Sequence, residues 1–239
     1  MRIPSKKNTL ATLAAAGVKF DHVVDIGVQS HTPELIEACA DARHFLFEPV
    51  SEYWASIEAL YKDIDHIDFR AAASNKNESV GLHLVERDGA VTHAHVTENA
   101  ERTIDAVRLD DALAPYPEVF GSSTLLKIDV DGHEMKVLEG GSRLVETVGC
   151  IIIEAPLATV PARLNFIVSL GLELWDIVDL SYWQQQLSQV DLVFLNRELR
   201  EKIRGKPPQD SASLSDWWEL TGWLASQTNS QGGTKSKKD

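Results

Sequence analysis

Basic charge is in short supply in this chain. Its 23 lysines and arginines stand against 36 aspartates and glutamates, for a net charge of −13. That balance repels phosphate backbones and anionic lipid and leaves no extended cationic face, so nucleic acid is excluded as an expected partner. Cysteine is nearly absent. Cys39 falls in an expected helix and Cys150 at an expected strand start, which rules out a disulfide framework and suits buried thiols in a reducing compartment, the cytoplasm by default. No apolar run reaches the length of a membrane span. Residues 1–20 mix basic and apolar character, but the apolar run is short and Gly17 leads straight into a strand, so no leader is expected. No GxGxxG occurs, which removes the phosphate-cradling loop of an NAD-dependent oxidoreductase. No internal repeat is visible.

What is present is enough for a full core. At 239 residues and 44% hydrophobic the chain fits one α/β domain better than two. Asn8 is read as the N-cap of a first helix ending at Gly17, and HVVDI follows as a short buried strand. Pro33 opens a helix to about Ala40, HFLFE is a second strand, residues 51–61 a helix, and HIDFRAA a third strand. Between Asn75 and Arg102 the period changes to two, in SVGLHLVER and VTHAHV around Asp88-Gly89, which predicts an inserted hairpin. TLLKIDV is a fourth strand, residues 133–139 a helix that Gly140-Gly141 terminates, and CIIIEA a fifth strand. PARLNFIVSLG is a helix, and LELWDIV and DLVFLN form a last strand pair. Strands alternating with helices imply a mostly parallel, doubly wound sheet. The expected organisation is a domain over 1–205, a Trp-rich segment over 206–226 packed on it, and a disordered tail over 227–239. DWWELTGWL in that segment reads as a docked helix, with a lid or partner site as the sharper alternative.

Ligands of open parallel sheets sit outside the carboxyl ends of the strands. The first strand ends at Asp25-Ile26-Gly27 and the second at Glu48-Pro49, the interval at which an acid meets ribose hydroxyls in nucleotide folds. Glu48 can accept from both the 2′- and 3′-hydroxyls, and Gly27 lets backbone come close to a ligand; a solvated strand-end acid and a turn glycine are the bland alternatives. The fourth strand and its loop carry Lys127, Asp129, Asp131, Gly132, His133 and Glu134. Alternation puts Lys127 and Asp129 on one side, and a buried strand holds such a pair only if the two are paired or face a cleft. His133 has an ordinary pKa suited to proton transfer, although helix capping is an equal reading. Glu154 ends the fifth strand toward the same cleft, where it can bind substrate hydroxyls. His93 and His95 share a strand face but have no third ligand in the sequence nearby, and read as surface or cleft residues.

DIG after an apolar run, FEP after the second strand, LKIDVDGHEMKVLEGG and IIIEAP together resemble the FkbM family of S-adenosylmethionine-dependent methyltransferases, over roughly residues 18–196. The resemblance implies a Rossmann-like class I methyltransferase fold, a seven-stranded sheet with a reversed last strand, the cofactor S-adenosylmethionine, and O-methylation of a hydroxyl, often on a sugar of a polysaccharide, glycolipid or glycosylated metabolite. It places Asp25, Gly27, Gln29, His31 and Glu48 at the cofactor, and Ala73, Ser74 and Asn75 beside the adenine. Gln29 stands for the family's asparagine and His31 for its second glycine, so the loop is altered but usable. Since the sulfonium already makes the methyl electrophilic, the protein must align it with the acceptor oxygen and remove a proton. Asp129 and His133 are the expected bases, Lys127 orients or neutralises, and Asp131 and Glu154 are expected to hold the acceptor, a small molecule or glycan. A divalent metal suits the donor types but is not favoured, because the spacing is not a metal motif. A homo-oligomer is left open. The other readings are a catalytically silent methyltransferase fold used as a binding module, for which the degraded glycine loop speaks, and the NAD-dependent oxidoreductase disfavoured above.

Overall fold

The computed structural model describes residues 3–87, 90–97, 100 and 102–203. The expected Trp-rich segment 206–226, the tail 227–239 and the Asp88-Gly89 turn lie outside the described residues. Helix α1 (Lys6–Ala15) is capped by Ser5, whose Oγ accepts the Asn8 N–H at 3.2 Å. Asn8 is therefore a helical residue rather than the expected cap, because the extended residue that precedes the first turn is the serine. Then β1 (His22–Ile26), α2 (Pro33–Ala38), β2 (Arg43–Phe47), α3 (Trp54–Leu60) and β3 (His66–Phe69) alternate. β4 (Ala72–Ser74), β5 (Glu78–Arg87), β6 (Ala90–Val96) and β7 (Arg102–Arg108) follow without an intervening helix. The chain continues through α4 (Leu109–Leu113), β8 (Thr124–Ile128), α5 (Glu134–Gly140), α6 (Ser142–Thr147), β9 (Cys150–Pro156), α7 (Val160–Ser169), β10 (Glu173–Trp183), β11 (Gln186–Leu195) and α8 (Arg197–Ile203).

The main sheet has seven strands in the order β10-β11-β9-β8-β1-β2-β3. β1, β2, β3, β8 and β9 pair in parallel, whereas β11 runs antiparallel to both of its neighbours. This is the class I methyltransferase arrangement with its reversed strand. Consecutive residues feed opposite faces, as the pleat requires. Val24, Leu126, Ile151 and Phe194 pack under α5, α6 and α7, and Val23, Leu125, Ile152 and Val193 pack under α1 and α2.

Two expectations are corrected. HIDFRAA is not one strand: it ends at Phe69, Arg70 lays its guanidinium over the Trp54 ring at 4.6 Å, and Ala72 pairs with Ala106 in a second sheet. That second sheet, ordered β4-β7-β5-β6, is larger than the hairpin expected over 75–102. Its extra strand β7 reads RTIDAVR, in which exposed Thr103 and Asp105 alternate with Ile104 and Ala106 just beyond the bounds of the expected hairpin.

Gly140 is the last residue of α5 rather than its terminator. A Cβ there would lie 1.8 Å from the Ser74 carbonyl oxygen, so glycine is what lets α5 approach β4. Gly140→Ala is expected to destabilise the protein by about 1–3 kcal/mol through overpacking, read as a lower urea midpoint at unchanged m-value. An unchanged midpoint would refute the close approach.

Candidate functional site

The loop after β1 is held from below. Asp25 and Lys127 are register partners on adjacent strands, with Lys127 Nζ 3.2 Å from Asp25 Oδ1 and both side chains buried. Lys127 Nζ also donates to the Gly27 carbonyl at 2.7 Å, and Thr32 Oγ1 donates to Asp25 Oδ2 at 2.6 Å. Burial works to lower the Lys127 pKa, but Asp25 and Asp129 outweigh it and hold the ammonium above its ordinary value. Lys127 thus points down into the loop's foundation, and Asp129, 3.7 Å from its Nζ and one-third exposed, is the member of the pair that faces the cleft. Gly27 has φ +84°, and a Cβ there would lie 1.8 Å from the Asp129 carbonyl oxygen. Only glycine fits where the tips of β1 and β8 cross.

Glu48, 3% exposed, closes the loop from β2. Its Oε2 accepts the Gln29 N–H at 2.7 Å and its Oε1 the Val50 N–H at 2.8 Å. Each oxygen keeps a lone pair for a further donor. Burial pushes the carboxyl up to about 7, against the opposing pull of those two N–H groups. An open cleft lies above, lined by Gly27, Gln29, Glu48, Asp129, Asp131 and His133. Its apolar wall comes from the second sheet, through Ala72, Ala73, Leu82, Ala94 and Val96, with Tyr53 beside them. Tyr53 Oη donates to the Val91 carbonyl at 3.1 Å, and Arg102 bonds Glu52 and Ser51, so the second sheet is tied to the start of α3.

Beyond Asp129 the chain turns through Asp131 at φ +48° and Gly132 at φ +100° to His133, the N-cap of α5. His133 is 8% exposed and its Nε2 lies 3.0 Å from Ser74 Oγ. Burial, followed by the charge of Lys136, lowers its pKa, which leaves a neutral imidazole at the cleft wall near neutrality. The turn is fixed by Glu134, which accepts the Gly132 N–H at 3.0 Å and pairs with Arg163, both carboxylate and guanidinium being buried. Among the described residues, no group of three or more His, Cys, Asp or Glu side chains is arranged to hold a metal ion.

The expected residues do not all converge. Ala73 lines the cleft, while Ser74 sits behind it on His133, and Asn75 turns its amide to Glu139 at 2.8 Å. His31 is exposed, beside Ser30 Oγ at 3.1 Å, and does not line the cleft. Glu154 lies one strand further along the sheet, bonded to the Gln189 amide; burial and then Asp129 and Asp131 push it up to about 8. Lys6, Tyr53, Arg163, Asp191 and Gln189 were not anticipated. Lys6 Nζ reaches Asp191 at 2.5 Å and Asp179 at 3.4 Å, from the other end of the chain, for which the sequence holds no signal. Arg163, the lone charge in the apolar helix VPARLNFIVS, could have been noticed.

Lys127→Met leaves the Asp25 carboxylate buried without its cation and is expected to cost about 3–5 kcal/mol, measured by urea unfolding. Asp25→Asn in the same chain should return part of the loss, and no recovery would show that the two do not act as a pair.

Among solved structures, the fold is similar to a precorrin-6y C5,15-methyltransferase from Geobacter metallireducens (12% identity, 78% of this chain and 86% of that one, TM-score 0.45). It is also similar to an rRNA methylase from Streptococcus thermophilus (12% identity, 79% and 93%, TM-score 0.46) and the N-methyltransferase NodS from Bradyrhizobium japonicum (9% identity, 80% and 94%, TM-score 0.43). No curated protein sequence matches the chain. Residues 21–162 match the Methyltransferase FkbM domain. That stretch is more than half of the chain and holds every loop that shapes the cleft, and the chain belongs to the FkbM methyltransferase family.

Proposed function

We propose that this protein binds S-adenosylmethionine in the cleft between Glu48 and Asp129 and transfers its methyl group to a hydroxyl, most naturally that of a sugar. The observation that carries the reading is that the tips of β1, β2 and β8 bring those two carboxylates to one cavity whose far wall is apolar. The donor set fits the cofactor. Glu48 has an unused lone pair on each oxygen for two ribose hydroxyls, and the alanine and valine wall suits an adenine face. Bound, the cofactor supplies a methyl group that is electrophilic without further activation.

The remaining work belongs to the chain. Asp129 accepts from the acceptor hydroxyl and orients its oxygen. His133, neutral and oriented by Ser74, takes the proton as the oxygen attacks. Lys127 holds the Gly27 carbonyl and stands beside the Asp129 carboxylate from beneath. The second sheet excludes water from the upper side of the cleft, where alignment contributes several kcal/mol. A catalytically silent module would bind cofactor and transfer nothing, so label transfer separates the two readings.

Cofactor affinity is expected to rise with pH as Glu48 ionises. By calorimetry, S-adenosylhomocysteine should bind about tenfold more weakly at pH 6 than at pH 8, and Glu48→Gln should bind weakly with a flat profile. The stability of the free protein moves the other way. The Glu48 pKa is raised on folding, so its contribution is fully present below its ordinary 4.5 and lost as pH rises through about 7. Glu48→Gln should make melting temperature fall less steeply over that window. A pH-independent affinity in the parent protein would remove Glu48 from the site.

With methyl-labelled cofactor and a panel of glycans, His133→Ala should transfer label roughly 10²- to 10⁴-fold more slowly while binding S-adenosylhomocysteine as tightly as the parent. Asp129→Asn should lose rate as well. Undiminished turnover in His133→Ala would assign the proton to another group.

A further inference from the structure

The hairpin of β10 and β11 overhangs the sheet at its ligand-binding edge. β11 pairs with β9 only from Gln189, opposite Pro156, to Leu195, opposite Cys150. Residues 186–188 therefore pair with β10 alone, and the ribbon carries Trp183 roughly 10 Å past Gln189 at the strand rise. Because β9 runs parallel to β8, its Pro156 end is the end at which Asp129 and Glu154 stand. The ribbon thus extends the acceptor side of the cleft outward.

The outer half of this ribbon is uncharged. Residues 180–190, LSYWQQQLSQV, contain no acid, base or histidine in a chain that is 25% charged. Tyr182 and Trp183 are 65% and 71% exposed, more than any other large hydrophobic residue among those described. They pair with Leu187 and Gln186, so successive rings leave opposite faces of the ribbon. The turn between the strands is made by Gln184 at φ +47° and Gln185 at φ +65°. Asparagine and glycine occupy such positions at lower conformational cost, and an uncommon residue kept in a strained turn points to a use for its side chain. Leu180 is exposed beside them, and contiguous exposed apolar surface of this kind marks a candidate binding surface.

We infer that this hairpin is a carbohydrate subsite, in which Trp183 and Tyr182 stack on the C–H faces of neutral pyranose rings and the amides of Gln184, Gln185, Gln186 and Gln189 bond their hydroxyls. The inference rests on the sugar acceptor proposed above. An amide offers donors and an acceptor together, which matches a hydroxyl that is itself both. The lack of charge selects against anionic and cationic ligands alike. The same ribbon leads down to Glu154, which Gln189 already holds, so a glycan laid on either ring continues along its face toward the carboxylates at the strand ends. β10 is also an edge strand, and pairing with a second copy is the competing use of an exposed edge.

The test uses the full chain in native gels cast with dissolved dextran, yeast mannan or galactan, with S-adenosylhomocysteine calorimetry on each protein. The parent should be retarded by at least one of the three, and Trp183→Ala and Tyr182→Ala should lose retardation at least tenfold in apparent affinity, with cofactor binding unchanged. The double substitution Gln184→Asn, Gln185→Gly should melt at a higher temperature and bind the polysaccharide less well. Failure of all three polysaccharides to retard the parent overturns the subsite, as does retardation of Trp183→Ala equal to the parent's. So does a parent dimer that Trp183→Ala converts to monomer in sedimentation. If the parent binds no S-adenosylhomocysteine, it is the methyltransferase reading that fails, whatever the gels show.

Discussion

The buried ion pair between Asp25 and Lys127 is the constraint on which the rest of the site depends. A lysine and an aspartate on adjacent strands, both inside the sheet, are costly unless each is fully engaged. Here each has a second partner: Asp25 also accepts from the Thr32 hydroxyl, and Lys127 also donates to the Gly27 carbonyl. One pair thereby ties β1, β8, the loop between β1 and α2, and the start of α2. The crossing of Gly27 over the Asp129 carbonyl leaves no freedom above it. The cleft can then rest on backbone whose position is set before any ligand arrives, which is the condition for alignment to lower a barrier.

Above that floor the second sheet performs a different task. It supplies the apolar wall through Leu82, Ala94 and Val96 and is tied down at its margin by Tyr53 and Arg102. On the other side, Glu134 and Arg163 fix the turn that carries Asp131 and His133. The same cleft is thus polar along the strand tips and apolar opposite them. Burial raises the pKa of Glu48 and Glu154 and lowers that of His133. The two raised shifts bring carboxyls that would otherwise be fully ionised within reach of titration near neutrality, and the lowered one keeps the imidazole uncharged there.

Carboxylates accumulate toward β9 and β11, where Glu154 and Asp191 stand, and Lys6 is the cation that meets Asp191 there. Helix α1 is thereby tied to the far strands, through Lys6 to Asp191 and through Thr9 to Asp176. The uncharged ribbon beyond Asp191 makes the outermost surface neutral and aromatic. From the Asp25–Lys127 pair to Trp183, the edge of the sheet passes from buried charge to an exposed ring.

Much of this was legible in residues close together along the chain. Buried apolar runs marked the strands, DIG, FEP and KIDVDG marked their tips, and the interval from Gly27 to Glu48 marked the meeting of the first two tips at one cleft. Periodicity and turn residues act over a few positions, so they specify local structure and, through strand alternation with helices, the class of sheet. Partners remote in sequence were decided only by the fold. Lysine on a strand cannot announce whether it faces substrate or a neighbouring aspartate, and Lys127 turned to Asp25. His31 cannot announce that its loop will turn it to solvent, nor Gly140 that a carbonyl from β4 will lie against it. Lys6 meets Asp191 across 185 positions, and Arg70 ends a strand that β-propensity alone would have continued. Packing, desolvation and charge neutralisation settle such choices, and these exist only once distant segments share one interior.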